Sequence, residues 1–166
     1  ESDRGRILSS ASLRRLQKRT QVFALELNAS IRSRLTHSME VAQNARYIAR
    51  TILQELKKDN LETFALEEFE NAFISTSEMT SLLHDIGNPP FGHSGEKAIG
   101  EYFSIGKGQQ FKEKLTPKQW QDLIDFEGNA NGFSVLTSSR PGIEGALRLS
   151  YATLGAFMKY PKESLP

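Results

Sequence analysis

Cysteine is absent from this 166-residue chain. That excludes disulfides, thiolate metal ligands and a thiol nucleophile. No run of about 18 apolar residues exists, so no membrane span and no membrane partner are expected. The N-terminal residues also lack the basic-then-apolar pattern of a secretory signal. These absences together suit a reducing, cytoplasmic setting. Sustained strand alternation is missing, and so are internal repeats and low-complexity tracts. Histidine is scarce, with only His37, His84 and His93. The apolar and charged fractions, 38% and 25%, are those of an ordinary soluble domain. The chain opens on Glu1-Ser2-Asp3 without methionine and closes on a non-periodic Pro161-Lys162-Glu163-Ser164-Leu165-Pro166. It reads as a partial domain, 1–166, cut from a larger helical protein.

A net charge of +1 conceals an uneven distribution. Residues 1–58 hold twelve Lys/Arg against five Asp/Glu, and residues 59–85 hold none against seven. The remainder is nearly balanced, nine against eight. Scattered charge usually marks a solvated face. A basic first third also suits a polyanionic partner, either a phosphorylated small molecule or nucleic acid.

Apolar periodicity predicts an all-α bundle. Residues 4–18 read as a short basic helix with Ile7, Leu8, Leu13 and Leu16 as its apolar positions. Residues 36–57 carry the strongest pattern, in which Val41, Ala45, Ile48, Ile52 and Leu56 form one stripe. His37 precedes Val41 by four residues and is expected on the same inward face. A second helix is predicted over 69–85, with contacts from Phe69, Phe73, Met79, Leu82 and Leu83 and a stop at Gly87. Ser94 is read as the cap of a helix over 95–104, and residues 105–115 as a loop. Thr116-Pro117-Lys118-Gln119 is a capping-box start. The helix after it reaches Phe126-Glu127-Gly128-Asn129-Ala130-Asn131-Gly132, where glycine and asparagine at helical depth are costly. Such a cost marks close packing or a site. A last helix is predicted over 150–160.

The segment Leu82-Leu83-His84-Asp85-Ile86-Gly87-Asn88-Pro89-Pro90-Phe91-Gly92-His93-Ser94-Gly95-Glu96 concentrates the chemistry. A lone histidine is more often a satisfied polar residue than a ligand. Here an apolar run ends in His-Asp, a Pro-Pro bend of fixed φ follows, and a histidine and a glutamate wait beyond it. His37, His84 and Asp85 offer nitrogen and oxygen donors to a divalent ion, with Mg²⁺ or Mn²⁺ foremost and Co²⁺, Fe²⁺, Ni²⁺ or Zn²⁺ compatible. His84 and Asp85 are adjacent, about 100° apart on a helix, so they share an ion only at a helix end or in a widened turn. His93 suits a general acid, and Glu96 suits a group that orients it. Arg15, Arg32 and Arg34 suit phosphate. These residues alone point to metal-assisted hydrolysis of a phosphate ester.

The pattern resembles the HD-domain phosphohydrolase superfamily. Four blocks sharpen the likeness: Arg14-Arg15-Leu16 with Thr20-Gln21-Val22-Phe23; Arg34-Leu35-Thr36-His37-Ser38-Met39-Glu40-Val41; His84 through Glu96; and Phe126-Glu127-Gly128-Asn129-Ala130. Together they are similar to the deoxynucleoside triphosphate triphosphohydrolases, and within them to the bacterial dGTPases. The resemblance implies an HD-domain helical bundle that hydrolyses dGTP, and other dNTPs with it, to deoxynucleoside and inorganic triphosphate. It implies His37, His84 and Asp85 as metal ligands and His93 with Glu96 as the catalytic pair. It also implies Gln21 near the deoxyribose, Arg34 on phosphate and Asn88 among the substrate-binding residues. A fourth ligand, an aspartate, has no counterpart before Pro166. A homo-oligomer and a nucleotide or single-stranded-DNA effector are further implications. The alternatives are another HD nucleotide phosphohydrolase, or a binding module for nucleotide or single-stranded DNA without turnover.

Overall fold

The computed structural model describes residues 2–18, 28, 30–58, 66–139, 141–142, 146–161 and 163–165, and the protein is all-α. The predicted first helix is broken. α1 spans Ser2–Leu8 and α2 spans Ala11–Arg14, followed by a 3₁₀ turn over Arg15–Lys18. The break falls at Ser10, whose side chain accepts the Leu13 N–H at 3.1 Å and starts a new helix.

α3 (Arg34–Lys58) and α4 (Leu66–Leu83) form the central hairpin. Ion pairs set them antiparallel, with Lys57 on Glu70 at 2.6 Å and Arg46 on Glu78 at 2.5 Å. Glu78 also receives Arg4 from α1 at 3.3 Å. The buried face of α3 is Arg34, Ser38, Ala42, Ala49 and Leu53. The predicted stripe is therefore out of phase by about one position, and Ile48 and Ile52 are exposed at 54% and 45%. The reason is steric: the α3–α4 contact uses small side chains that let the helices approach, so the bulky residues fall on its flank. Phe69 and Phe73 of α4 are likewise exposed, whereas Met79, Leu82 and Leu83 are buried as expected.

Beyond the hairpin come α5 (His93–Ser104), a 3₁₀ segment over Lys107–Lys114, α6 (Pro117–Ile124), α7 (Gly128–Thr137) and α8 (Tyr151–Phe157). The 3₁₀ segment replaces the loop predicted for 105–115. The capping box at α6 forms as read: Thr116 Oγ1 accepts the Gln119 N–H at 3.3 Å, and Gln119 Oε1 accepts the Thr116 N–H at 3.0 Å. α6 ends at Asp125 rather than running on through 132.

One core joins both ends of the chain. Ile7, Leu13 and Leu16 pack with Ala42, Met79, Leu82, Leu83, Ile86, Leu136, Leu149 and Phe157. Asp3 ties the ends by hydrogen bonds, its Oδ2 accepting from Ser150 N–H at 3.0 Å, Ser150 Oγ at 2.6 Å and Thr153 Oγ1 at 2.8 Å. Burial pushes the Asp3 carboxyl up, but the bonds from Ser150 and Thr153 and the charge of Arg6 outweigh it and hold the group below its ordinary range.

Candidate functional site

The end of α4 delivers the His-Asp pair, but just past the helix rather than within its last turn. Helical pairing stops at Leu83, and residues 84–87 form a turn in which Ile86 N–H donates to the Leu83 carbonyl at 2.9 Å. Gly87 closes it with φ +97°, the left-handed region expected of a helix stop. Unwinding frees the two side chains from strict helical spacing. His84 Nδ1 lies 2.7 Å from the Ser81 carbonyl oxygen. A carbonyl only accepts, so Nδ1 carries a proton and, in the neutral ring, Nε2 offers the lone pair that a metal uses. The His37 ring meets the His84 ring edge-on, with centroids 5.2 Å apart. The two helices thus bring together histidines 47 positions apart in sequence.

Asp85 is buried and turned inward. Its Oδ1 accepts from Arg34 Nη1 at 3.0 Å and from Asn88 Nδ2 at 2.8 Å. Its Oδ2 is buried with no hydrogen-bond partner. Arg34, expected on phosphate, is only 4% exposed and its guanidinium is bonded within the protein. Its second terminal nitrogen donates to the Pro89 carbonyl at 2.8 Å, so one guanidinium pins both the carboxylate and the Pro-Pro bend. Asn88 is the second support of Asp85. Gln21 lies outside the described residues. Among the described residues no three His, Asp or Glu side chains gather closely enough to hold an ion in common. The expected trio is thus a histidine pair with Asp85 next in sequence, whose Oδ1 is bonded to Arg34 and Asn88. The donor set nevertheless fits a divalent cation: an unprotonated imidazole nitrogen, a second imidazole against it, and a buried carboxylate oxygen lacking any partner.

The bend then turns through two consecutive left-handed residues, Phe91 at φ +66° and Gly92 at φ +55°. Phe91 in that region is strained, as residues beside functional sites often are. The turn is closed by the Gly92 N–H donating to Pro89 O at 3.2 Å. α5 begins at His93 itself with Gly92 as its cap, not at Ser94. His93 and Glu96 therefore sit three apart on one helix, on the same side. His93 Nδ1 lies 2.6 Å from Glu96 Oε2.

Sequence reasoning named the Phe126–Ala130 block but missed what it does. Glu127 caps α7 by accepting the Ala130 N–H at 2.7 Å, and Asn129 Nδ2 donates to it at 2.5 Å. Burial raises the Glu127 carboxyl, yet these bonds bring it below the usual carboxylate range. Gly128 N–H donates to Glu96 Oε1 at 2.9 Å, and Asn131 Nδ2 donates to the Gly87 carbonyl at 2.8 Å. The His-Asp turn and α7 touch backbone to backbone. A Cβ on Gly87 would strike the Gly132 backbone and lie 2.5 Å from the Gly128 carbonyl oxygen. The costly glycines and asparagine of α7 were the readable signal, and close packing is their reason.

The HD domain family model matches residues 34–118. Similar curated proteins include the deoxyguanosinetriphosphate triphosphohydrolases of Enterobacter sp. (strain 638), 43% identical, and of Klebsiella pneumoniae (strain 342), 42% identical. That of Yersinia enterocolitica serotype O:8 / biotype 1B is 43% identical. Each alignment covers 98% of this chain and 36% of the relative, so the chain spans little more than a third of their length. The matched region holds both histidines of the facing pair, the buried Asp85 and the His93–Glu96 couple, and with it the chain belongs to the HD domain family.

Proposed function

We propose that the intact protein is a metal-dependent deoxynucleoside triphosphate triphosphohydrolase acting on dGTP. Water attacks the α-phosphate, the bond from that phosphorus to the nucleoside 5′-oxygen breaks, and deoxyguanosine and inorganic triphosphate leave. The single observation that carries the metal part of this reading is the Asp85 carboxylate, with one oxygen held twice and the other buried without a partner. His37, His84 and Asp85 would hold the ion, Mg²⁺ or Mn²⁺ foremost. What a bound divalent ion supplies is polarisation of phosphoryl oxygens and a water of lowered pKa. The chain's own residues do the rest. Glu96 accepts the Nδ1–H hydrogen bond of His93, so the imidazolium form would give its Nε2 proton to the departing 5′-oxygen and be left as the Nδ1–H tautomer that Glu96 holds. Arg34 and Asn88 hold Asp85 in place. The names of the relatives support the substrate, and Gln21 is assigned to the sugar by the same likeness. Cytoplasmic location, a homo-oligomer and a nucleotide or single-stranded-DNA effector belong to the same reading.

The test incubates the intact protein with dGTP and Mn²⁺ or Mg²⁺ and identifies the phosphate product by chromatography. Inorganic triphosphate with deoxyguanosine is expected. Pyrophosphate with dGMP would move the attack to another phosphorus and refute the reading. Saturable nucleotide or DNA binding without turnover would replace it by a binding module.

A further inference from the structure

We propose that Gly128 is a positioning residue: its backbone N–H fixes the Glu96 carboxylate and, through it, the tautomer of His93. The inference deepens the hydrolase reading and takes its functional meaning from it. Gly128 is the first residue of α7, so its N–H has no acceptor within that helix. That spare donor goes to Glu96 Oε1 at 2.9 Å, while Glu96 Oε2 meets His93 Nδ1 at 2.6 Å. One carboxylate is thus held from both oxygens, which sets its plane and aims its second oxygen at the imidazole.

Among the described residues, His93 has Glu96 as the hydrogen-bond partner of its ring. Its side chain is fully in solvent, at 101% relative exposure, while Glu96 is at 15%. An exposed imidazole left alone chooses its own rotamer and favours the Nε2–H tautomer. An ionised carboxylate only accepts, so a fixed Glu96 enforces Nδ1–H and leaves Nε2 as the outward nitrogen. The same geometry explains why residue 128 carries no side chain. A Cβ there would collide with Asn88 Oδ1 and stand 2.9 Å from Glu96 Oε1. It would displace Glu96 from one side and Asn88, a support of Asp85, from the other. The competing account is that Gly128 serves helix packing alone.

The decisive variant removes the N–H: glycolic acid in place of Gly128, which turns one amide into an ester and leaves the Glu127 carbonyl as a weaker acceptor of the Asn131 N–H. No helical donor is lost at this first position and the Asn131-to-Glu127 bond is weakened, not removed, so α7 persists, as retained helicity checks. With only three histidines in the chain, their ring ¹⁵N resonances are readily resolved. In the unmodified protein, with the rings neutral, His93 is expected as Nδ1–H. In the ester it shifts predominantly to Nε2–H, while His37 and His84 stay unchanged. An unaltered His93 tautomer in the folded ester would overturn the proposal. A second measurement needs no ester. The Gly128 amide is expected to exchange with solvent about tenfold faster in Glu96→Ala, the loss of one hydrogen bond. An unchanged rate would overturn the proposal equally. Both readouts are taken without substrate, so a failure of dGTP turnover and a failure of this assignment are separate results.

Discussion

His93→Ala lowers the rate of triphosphate release from dGTP by about 10²–10⁴-fold, the range of a positioned general acid. The thermal midpoint of the protein moves little, because the imidazole is fully exposed. His93 begins α5 directly after a bend that two prolines stiffen, that Gly92 N–H closes on the Pro89 carbonyl and that Arg34 ties down at the same carbonyl. Glu96, one turn on, receives the Nδ1 proton at 2.6 Å, and Gly128 secures Glu96 from behind. The 5′-oxygen of a nucleoside is a poor leaving group unless it is protonated as it departs, and the Nε2–H of the His93 imidazolium is the donor assigned to do so, leaving the Nδ1–H ring on Glu96. A rate loss below about tenfold at saturating dGTP would remove His93 from proton transfer.

Gly87→Ala is expected to cost about 3–5 kcal/mol, from left-handed backbone strain and overpacking together. Residue 87 sits at φ +97°, which is unfavourable for any L side chain. The new methyl would also point into backbone: the Gly132 N and Cα, and the Gly128 carbonyl oxygen at 2.5 Å. Neither can rotate away as a side chain would. Relief requires α7 to back off from the His-Asp turn, which breaks the Asn131-to-Gly87 and Gly128-to-Glu96 bonds together. Urea denaturation of the variant checks this, and a loss under about 1 kcal/mol would mean that turn and helix are not in this contact.

The sequence made the helices legible where local chemistry fixes them. α3 was readable almost to its ends, the α6 capping box residue by residue, and the stop at Gly87 by its type. Periodicity misjudged the phase of α3, because it follows the large residues Ile48 and Ile52. The packed face is instead built from Ser38, Ala42, Ala49 and Leu53. The 3₁₀ segment over Lys107–Lys114 was unreadable, since a short polar run leaves no apolar period to detect. In the site, the residue types were visible and their partnerships were not. Arg34 to Asp85 spans 51 positions and Glu96 to Gly128 spans 32. Nothing local tells an arginine destined for the interior from one destined for solvent. The glycines of α7 came nearest to a warning, because a helix carries them only for a reason.

The central claim is that the His-Asp turn, facing His37, is a divalent-cation site. It is tested most directly by calorimetric titration of the intact protein with Mn²⁺, beside His84→Ala and Asp85→Asn. The account predicts saturable binding in the unaltered protein and affinity at least about tenfold weaker in each variant, with helicity retained. Equal affinity in all three would place the ion elsewhere and contradict it.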